Sequence, residues 1–148
     1  MNNQQIAQLQ MAQLIDEASL RRTAELYAKG ADRRDKAVWA EVVTEDCVVE
    51  GPGFKMEGRA AIVGSLDILA SMFHTTQHRV HNQVVTITGD TAHGETYSTA
   101  DHLKTEGGKT TLLAWAIRYQ DTWRRAEGVW RFSSRKLVID WEETRVIG

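Results

Sequence analysis

The fold is decided by residues 77–104, whose sequence is QHRVHNQVVTITGDTAHGETYSTADHLK. Apolar and polar side chains alternate with a period of two on either side of Gly89-Asp90, a dipeptide typical of hairpin turns. Two more alternating segments follow this hairpin, and each begins after a turn that contains glycine. The pattern therefore predicts a run of antiparallel strands at residues 77–88, 91–104, 110–124 and 129–141.

The part of the chain before these strands has a helical period instead. Apolar residues recur there at spacings near 3.6, with charged residues between them. This periodicity predicts helices at residues 16–29, 32–43 and 58–73. Gly30 is expected to end the first helix, and a short strand is expected at Asp46–Glu50, before the turn Gly51-Pro52-Gly53. Helices followed by strands indicate an α+β fold, in which helices pack on a strongly curved, mostly antiparallel sheet that encloses a pocket.

Length and composition restrict the class of protein. A chain of 148 residues is expected to form one domain, residues 1–148, of which residues 1–14 are a polar N-terminal extension. The net charge of −2 lacks the basic surplus of a nucleic-acid-binding protein, so no nucleic acid partner is expected. No apolar run approaches the roughly 20 residues that span a bilayer, and the start lacks the order of a signal peptide. We therefore expect a soluble, cytoplasmic protein with no membrane partner.

The five histidines do not predict a metal site. His78 and His81 are three positions apart in an expected strand, so they point to opposite faces and cannot share one ion. No carboxylate stands nearby at ligand spacing, and the single Cys47 is too little for a zinc or iron–sulfur site. We expect no bound metal, and we expect Cys47 to be a small, buried strand residue.

His78 is the candidate general base of the chain. If its strand face is the concave one, its imidazole enters the cavity, where it can accept a proton near neutral pH. Such a base needs a carboxylate to fix its tautomer. Asp32 is favoured because it lies five positions after Tyr27, near the junction of the first two helices; the other candidates are Asp35, Asp46, Asp101 and Asp140. Structural alternatives stay open: a bond from His78 to a neighbouring loop, Asp32 as the N-cap of the second helix, and Tyr27 as a core aromatic.

Other conspicuous residues have simpler interpretations. Trp115, Trp123 and Trp130 are expected to pack as strand aromatics. The two arginine pairs, Arg33-Arg34 and Arg124-Arg125, are expected to be solvated charges.

Three parts of the chain resemble one known family. The first is Tyr27-Ala28-Lys29-Gly30-Ala31-Asp32, a tyrosine and an aspartate with four residues between them, and the second is Thr76-Gln77-His78. The third is the last hairpin, made of Arg118–Arg125, Gly128–Phe132 and Asp140-Trp141. These segments are similar to the SnoaL-like branch of the NTF2-like superfamily, which includes scytalone dehydratase, bile-acid 7α-dehydratase and hexachlorocyclohexane dehydrochlorinase.

The resemblance implies which residues carry the chemistry. In these lyases an aspartate–histidine dyad removes a proton, and a leaving group departs from the neighbouring carbon. By position, the dyad would be Asp32 and His78, and Tyr27 would face the leaving group or a carbonyl. His102 would be a second histidine that, with Tyr27, polarises or protonates the leaving oxygen, and Arg135 would contact the substrate in the pocket.

The expected function is therefore that of a cofactor-independent, dehydratase-like lyase that acts on a small aromatic or alicyclic hydroxy compound. Two alternatives stay open: a carbon–carbon lyase that releases formaldehyde with the same dyad, and a non-catalytic small-ligand-binding module. The chain departs from scytalone dehydratase near Tyr119, where that enzyme has a pocket asparagine. Because the relatives use no cofactor and are often trimers or dimers, we expect no cofactor, a small-molecule substrate and a homo-oligomer.

Overall fold

The computed structural model describes residues 1–148 and contains three helices and six strands. The helices are α1 (Asn3–Arg33), α2 (Lys36–Val42) and α3 (Arg59–Met72). The strands are β1 (Val43–Gly51), β2 (Phe54–Glu57), β3 (Thr75–Thr88), β4 (Thr91–Glu106), β5 (Lys109–Ala126) and β6 (Val129–Ile147). Helices precede the four long strands, which confirms the predicted α+β class.

One sheet contains all six strands, in the order β2-β1-β6-β5-β4-β3. Neighbouring strands are antiparallel except β1 and β6, which are parallel. The sequence predicts the four long C-terminal strands but neither β2 nor the parallel pair, because β2 has only four residues in which to show a period. Register shifts interrupt three of the pairings, and such irregularities increase the bend of a sheet.

The core lies between the sheet and the helices. Trp123 and Phe132 are fully buried there, and their rings stack with centroids 5.2 Å apart, which confirms the expected packing role of Trp123. Leu20 from α1 and Ile62 and Leu66 from α3 belong to the same apolar cluster. Full burial of such a side chain contributes roughly 1.5–3 kcal/mol, so apolar packing holds the helices on the sheet.

Helix α1 begins earlier than its periodicity predicts. The side chain of Asn2 accepts a hydrogen bond from the backbone N–H of Gln5, and the Gln5 side chain accepts one from the backbone of Asn2, both at 2.9 Å. This capping box starts the helix, so residues 3–14, expected to be a polar extension, are its exposed first turns. Although α1 has 31 residues, no helix of the chain is both long and apolar enough to cross a membrane.

The prediction that Gly30 ends the first helix is wrong. Helix α1 continues to Arg33 and ends at Arg34, whose φ of 54° is left-handed. A Cβ atom at position 30 would lie 2.4 Å from Cδ1 of Trp39, so glycine is needed there for the packing of α2 against α1. The longer helix places Asp32 in the last turn of α1.

The alternative in which Asp32 caps the second helix is therefore also wrong. The cap is Asp35, whose carboxylate accepts a hydrogen bond from the backbone N–H of Val38 at 3.1 Å, and α2 begins at Lys36. The Asp32 carboxylate is thus available for contacts with other elements.

The sequence led us to expect that the arginines near the end of β5 are solvated charges, but both form ion pairs. Arg124 forms an ion pair with Asp46 of β1. Arg125 pairs with Asp16 of α1 at 2.7 Å and with Asp90 of the β3–β4 turn at 2.9 Å. Both arginines therefore connect β5 to other elements.

Candidate active site

The sheet and the helices border a cavity of about 680 Å³. This volume lies within the roughly 300–1,000 Å³ typical of small-molecule sites. Its few polar groups include two histidines and two tyrosines, and most of the wall is apolar. The apolar wall includes Val49, Met56, Leu69, Phe73, Trp115 and Leu137.

Asp32 contacts His78, and of the two only His78 lines this cavity. Nδ1 of His78 lies 2.7 Å from Oδ1 of Asp32, and the two side chains are 11% and 20% exposed, which limits competition from water. A carboxylate only accepts hydrogen bonds, so Nδ1 carries the proton and Nε2 of the neutral ring keeps a free lone pair. His78 lines the cavity, and Nε2 has no hydrogen-bond partner within the chain. The partner of His78 is thus a helix residue rather than a loop.

The Asp32 carboxylate is held by further donors. The backbone N–H of His78 lies 3.1 and 2.9 Å from its two oxygens, and the Thr76 hydroxyl donates to Oδ1 at 3.1 Å. Arg34, expected to be solvated, donates to the Thr76 hydroxyl at 2.6 Å and to the Phe73 carbonyl at 3.0 Å. These hydrogen bonds connect the last turn of α1 to the start of β3 and hold the Asp32 carboxylate in place relative to the His78 imidazole.

His102 lies beside His78 in the cavity wall, with ring centroids 5.8 Å apart and the rings nearly perpendicular. Its Nδ1 donates a hydrogen bond to the Leu113 carbonyl at 3.0 Å, so the neutral ring offers Nε2 as an acceptor. Burial lowers the pKa of His102, which favours this neutral form. That His102 protonates a leaving oxygen stays a prediction, and it requires the ring to take up a second proton.

Tyr27 belongs both to the core and to the cavity wall. Its ring stacks on Trp39 with centroids 4.5 Å apart and meets Phe132 edge-on at 5.8 Å. It also lines the cavity, and burial raises its pKa, so the phenol stays protonated at neutral pH. The core packing and the phenol donor, alternatives in the sequence, are therefore compatible.

Arg135 lies behind the cavity wall rather than in it. The side chain is 2% exposed and donates two hydrogen bonds to Asp121, at 2.8 and 3.0 Å. Its guanidinium carbon lies 3.7 Å from the ring centroid of Tyr119, 4.0 Å from that of Phe132 and 4.6 Å from that of Tyr27. Burial raises the pKa of Asp121, and Arg135 opposes that rise. A role of Arg135 in substrate binding stays a prediction.

Sequence reasoning assigned no role to Thr76, Trp115 or Tyr119 at the site. Trp115, expected only to pack, lines the cavity and contacts His102 with ring centroids 4.8 Å apart. A signal for all three lies in the strand period: Thr76 is two positions before His78, and Trp115 and Tyr119 are four positions apart in β5. Residues at even spacing in a strand share a face, so Thr76 shares a face with His78, and Trp115 shares a face with Tyr119.

The arrangement suits proton transfer from a bound molecule. One base is oriented by a carboxylate. A second histidine and two phenol groups also line the cavity, and most of its wall is apolar. No three His, Cys, Asp or Glu side chains come together in a way that could hold a metal ion.

Known proteins share this fold. A hexachlorocyclohexane dehydrochlorinase, LinA type 2, matches with a TM-score of 0.82 and 20% identity, over 92% of this chain and 93% of its own. A scytalone dehydratase candidate from Novosphingobium aromaticivorans matches with a TM-score of 0.79 and 23% identity, over 88% of each chain. An NTF2-like protein with a cystatin-like fold, from the same species, matches with a TM-score of 0.73 and 24% identity, over 95% of this chain and 92% of its own.

These identities are low, and no curated protein sequence matches the chain. The structural likeness therefore establishes the NTF2-like cone fold that the sequence predicts. The family follows from the sequence itself, because the SnoaL-like domain profile matches residues 12–136, most of the chain. The chain belongs to the SnoaL-like family.

Proposed function

We propose that this protein is a cofactor-independent, dehydratase-like lyase that acts on a small aromatic or alicyclic hydroxy compound. His78 is the general base, and Asp32 orients its ring and stabilises the imidazolium that forms. The observation that carries the proposal is the 2.7 Å contact between Nδ1 and Oδ1 beside an apolar cavity. The LinA enzyme and the scytalone dehydratase candidate support lyase chemistry in this fold.

The reaction needs no group from outside the chain. Nε2 of His78 takes a proton from carbon, a double bond forms to the neighbouring carbon, and the hydroxide that leaves takes the proton back as water. Tyr27 donates a hydrogen bond to a substrate oxygen, and neutral His102 accepts one from a substrate hydroxyl. General acid–base catalysis increases the rate by about 10²–10⁴-fold, and orientation of the substrate in the cavity supplies the remaining rate enhancement.

A carbon–carbon lyase can use the same dyad. Nε2 of His78 would then take the proton of a substrate hydroxyl, the adjacent carbon–carbon bond would break, and formaldehyde would leave while the remaining carbon gains a proton. A product assay separates the two reactions, because dehydration keeps the carbon skeleton and releases water, whereas the retro-aldol step releases formaldehyde.

A non-catalytic ligand-binding module is the second candidate. The mostly apolar wall of the cavity favours it, since such a wall can hold an apolar ligand without chemistry. In either case the proposed partner is a small molecule, and we propose a homo-oligomer in the cytoplasm.

The test uses a panel of small hydroxylated aromatic and alicyclic compounds, with products followed by mass spectrometry and a formaldehyde assay. His78→Ala is expected to reduce turnover by at least about 10²-fold while the melting temperature changes little. His81→Ala is the matched control, because His81 is exposed and contacts only the Thr99 hydroxyl through its ring. Full activity of His78→Ala, or a parallel loss of fold and activity, would contradict the proposal.

A further inference from the structure

The outer edge of β3 has no neighbouring strand. β3 is the last strand in the sheet order, so one of its sides pairs with β4 and the other side is free. Helix α1 covers the first half of this free side, where Arg21 donates hydrogen bonds to the Val80 carbonyl at 3.1 Å and to the His81 carbonyl. No side chain bonds to the backbone of residues 83–87, and their only backbone partners are in β4. The outward backbone groups of residues 83–87 are therefore unpaired.

This part of the edge lacks the usual protection against pairing with another chain. Proteins protect a free sheet edge with charges, with proline or by keeping the edge strand very short. The opposite edge follows this rule, because β2 has four residues and carries the ion pair of Lys55 with Glu57. Residues 83–87, Gln-Val-Val-Thr-Ile, contain no charge, proline or glycine, and Val84 is 71% exposed. Such a segment pairs readily with another strand.

The N-terminal part of α1 is also uncharged and uncovered. No side chain of residues 1–15 carries a charge, and all of these residues are exposed. A helical segment of about 12 residues is only marginally stable alone in water, so this part of α1 gains stability when it is covered. Its exposed apolar side chains include Ile6, Leu9, Met11, Leu14 and Ile15.

A groove of about 450 Å³ joins these two surfaces. Leu14 of α1 and Val84 of β3 both line it. Its two charged lining residues, Glu17 and Arg21, have opposite signs, so the groove has no net charge. The edge of β3 and the start of α1 thus form one continuous, nearly neutral surface.

A second copy of this chain matches that surface. An uncharged surface meets its own copy without like-charge repulsion, and the net charge of the whole chain is only −2. A free strand edge is self-complementary, because two antiparallel strands related by a two-fold axis pair edge to edge. A membrane is a poorer match, since helices that lie on membranes carry Lys and Arg on their polar face, and residues 1–15 have neither.

We propose that two copies of this chain associate through the edge of β3 at residues 83–87 and the uncharged part of α1 at residues 1–15. The inference rests on the homo-oligomer of the proposed function and gives it a contact surface. The two sheets then join into one continuous sheet across the two-fold axis. The dyad lies at the other end of both elements, with Asp32 in the last turn of α1 and His78 near the start of β3, so it stays outside the contact.

Sedimentation equilibrium of the full chain measures the association. The wild type is expected to form a dimer or an assembly of dimers. Leu14→Lys and Val84→Lys are each expected to weaken the dimer by at least about 10-fold, because each change puts two like charges into the contact, one from each copy. Val146→Lys is the matched control, since Val146 is a 56% exposed valine in β6, outside the proposed surface. Thermal melts verify the fold of each variant.

Hydrogen exchange locates the contact without any substitution. The wild type is compared at protein concentrations above and below its dissociation constant. The backbone amides of residues 3–15 and 83–87 are expected to exchange at least about 10-fold more slowly in the associated protein. Those of residues 143–147, at the far end of β6, are expected to exchange at the same rate in both samples.

A dimer that both Leu14→Lys and Val84→Lys weaken, and that Val146→Lys leaves unchanged, supports the inference. A monomeric wild type would overturn it, whether the free part of α1 then binds neutral lipid vesicles or another protein. An oligomer that both variants leave intact, or that only Val146→Lys dissociates, would also overturn it, because the copies would then meet through another face. None of these results depends on turnover, so the lyase proposal can fail while the dimer contact holds, and the reverse.

Discussion

Replacing Asp121 with asparagine is expected to destabilise the fold strongly. Asp121 and Arg135 are each 2% exposed, and two hydrogen bonds of 2.8 and 3.0 Å join them. The Thr96 hydroxyl also donates to Asp121, at 2.8 Å. Asparagine keeps the shape of the side chain but leaves the Arg135 guanidinium buried without a counter-charge.

Loss of one partner from a buried ion pair costs about 3–5 kcal/mol. Arg135 cannot easily escape to water, because the rings of Tyr119 and Phe132 lie 3.7 and 4.0 Å from its guanidinium carbon. For a domain of this size about 1 kcal/mol corresponds to roughly 2–4 °C, so the melting temperature is expected to fall by roughly 6–20 °C.

Urea unfolding of Asp121→Asn, Arg135→Met and the double variant measures the effect. The double variant is expected to lose less stability than the two single losses together, because it leaves no unpaired buried charge. Asp140→Asn is the matched control: Asp140 also binds an arginine, Arg118, through bonds of 2.8 and 3.1 Å, but that pair is exposed to solvent. The reasoning is refuted if Asp121→Asn lowers the free energy of unfolding by no more than Asp140→Asn does. It is also refuted if the losses of the two single variants add up to the loss of the double variant.

Three further changes test other parts of the structure. A Cβ at Gly94 would lie 2.1 Å from the Val84 carbonyl oxygen, so Gly94→Ala is expected to cost about 1–3 kcal/mol in urea unfolding, and an unchanged midpoint would contradict that close approach. Because burial lowers the pKa of His102, the unfolded chain takes up a proton at higher pH than the folded chain. The stability that the neutral ring contributes is complete above about pH 6.5 and is lost as the pH falls. The melting temperature of His102→Asn should therefore fall less at acid pH than that of the wild type. Identical dependence of the two melting temperatures on pH would count against this. Burial raises the pKa of the Cys47 thiol to about 12, so a thiol reagent should label Cys47 only on unfolding, and rapid labelling of the native protein would exclude this.

The long strands could be predicted because their alternation continues over more than ten residues, whereas the end of α1 could not. Gly30 has the usual features of a helix stop, and only the tertiary contact with Trp39 explains why the helix continues through it. That continuation moves Asp32 out of the predicted cap position and onto the last turn of α1.

The candidate site was predictable to the extent that it resembles known sequences. Asp32 and His78 are 46 positions apart in the sequence, and only the family resemblance predicts that they form a pair. The structure shows that they are in contact, whereas their catalytic roles stay predictions. Arg34 could not be recognised, because its contact with Thr76 depends on the left-handed backbone at the end of α1. The strand period groups Trp115 with Tyr119 on one face of β5, but only the structure shows that this face borders the cavity.

Nitrogen-15 NMR of the His78 side chain tests the central claim most directly, because it reports which ring nitrogen carries the proton. Comparison with His78→Ala assigns the signals, and Asp35→Asn serves as control for Asp32→Asn, since Asp35 only caps α2. In the wild type, the neutral ring is expected to carry its proton on Nδ1, toward Asp32, with Nε2 unprotonated; Asp32→Asn should disturb this preference and Asp35→Asn should not. A neutral wild-type ring with its proton on Nε2 would contradict the claim, because no basic nitrogen of His78 would then face the cavity.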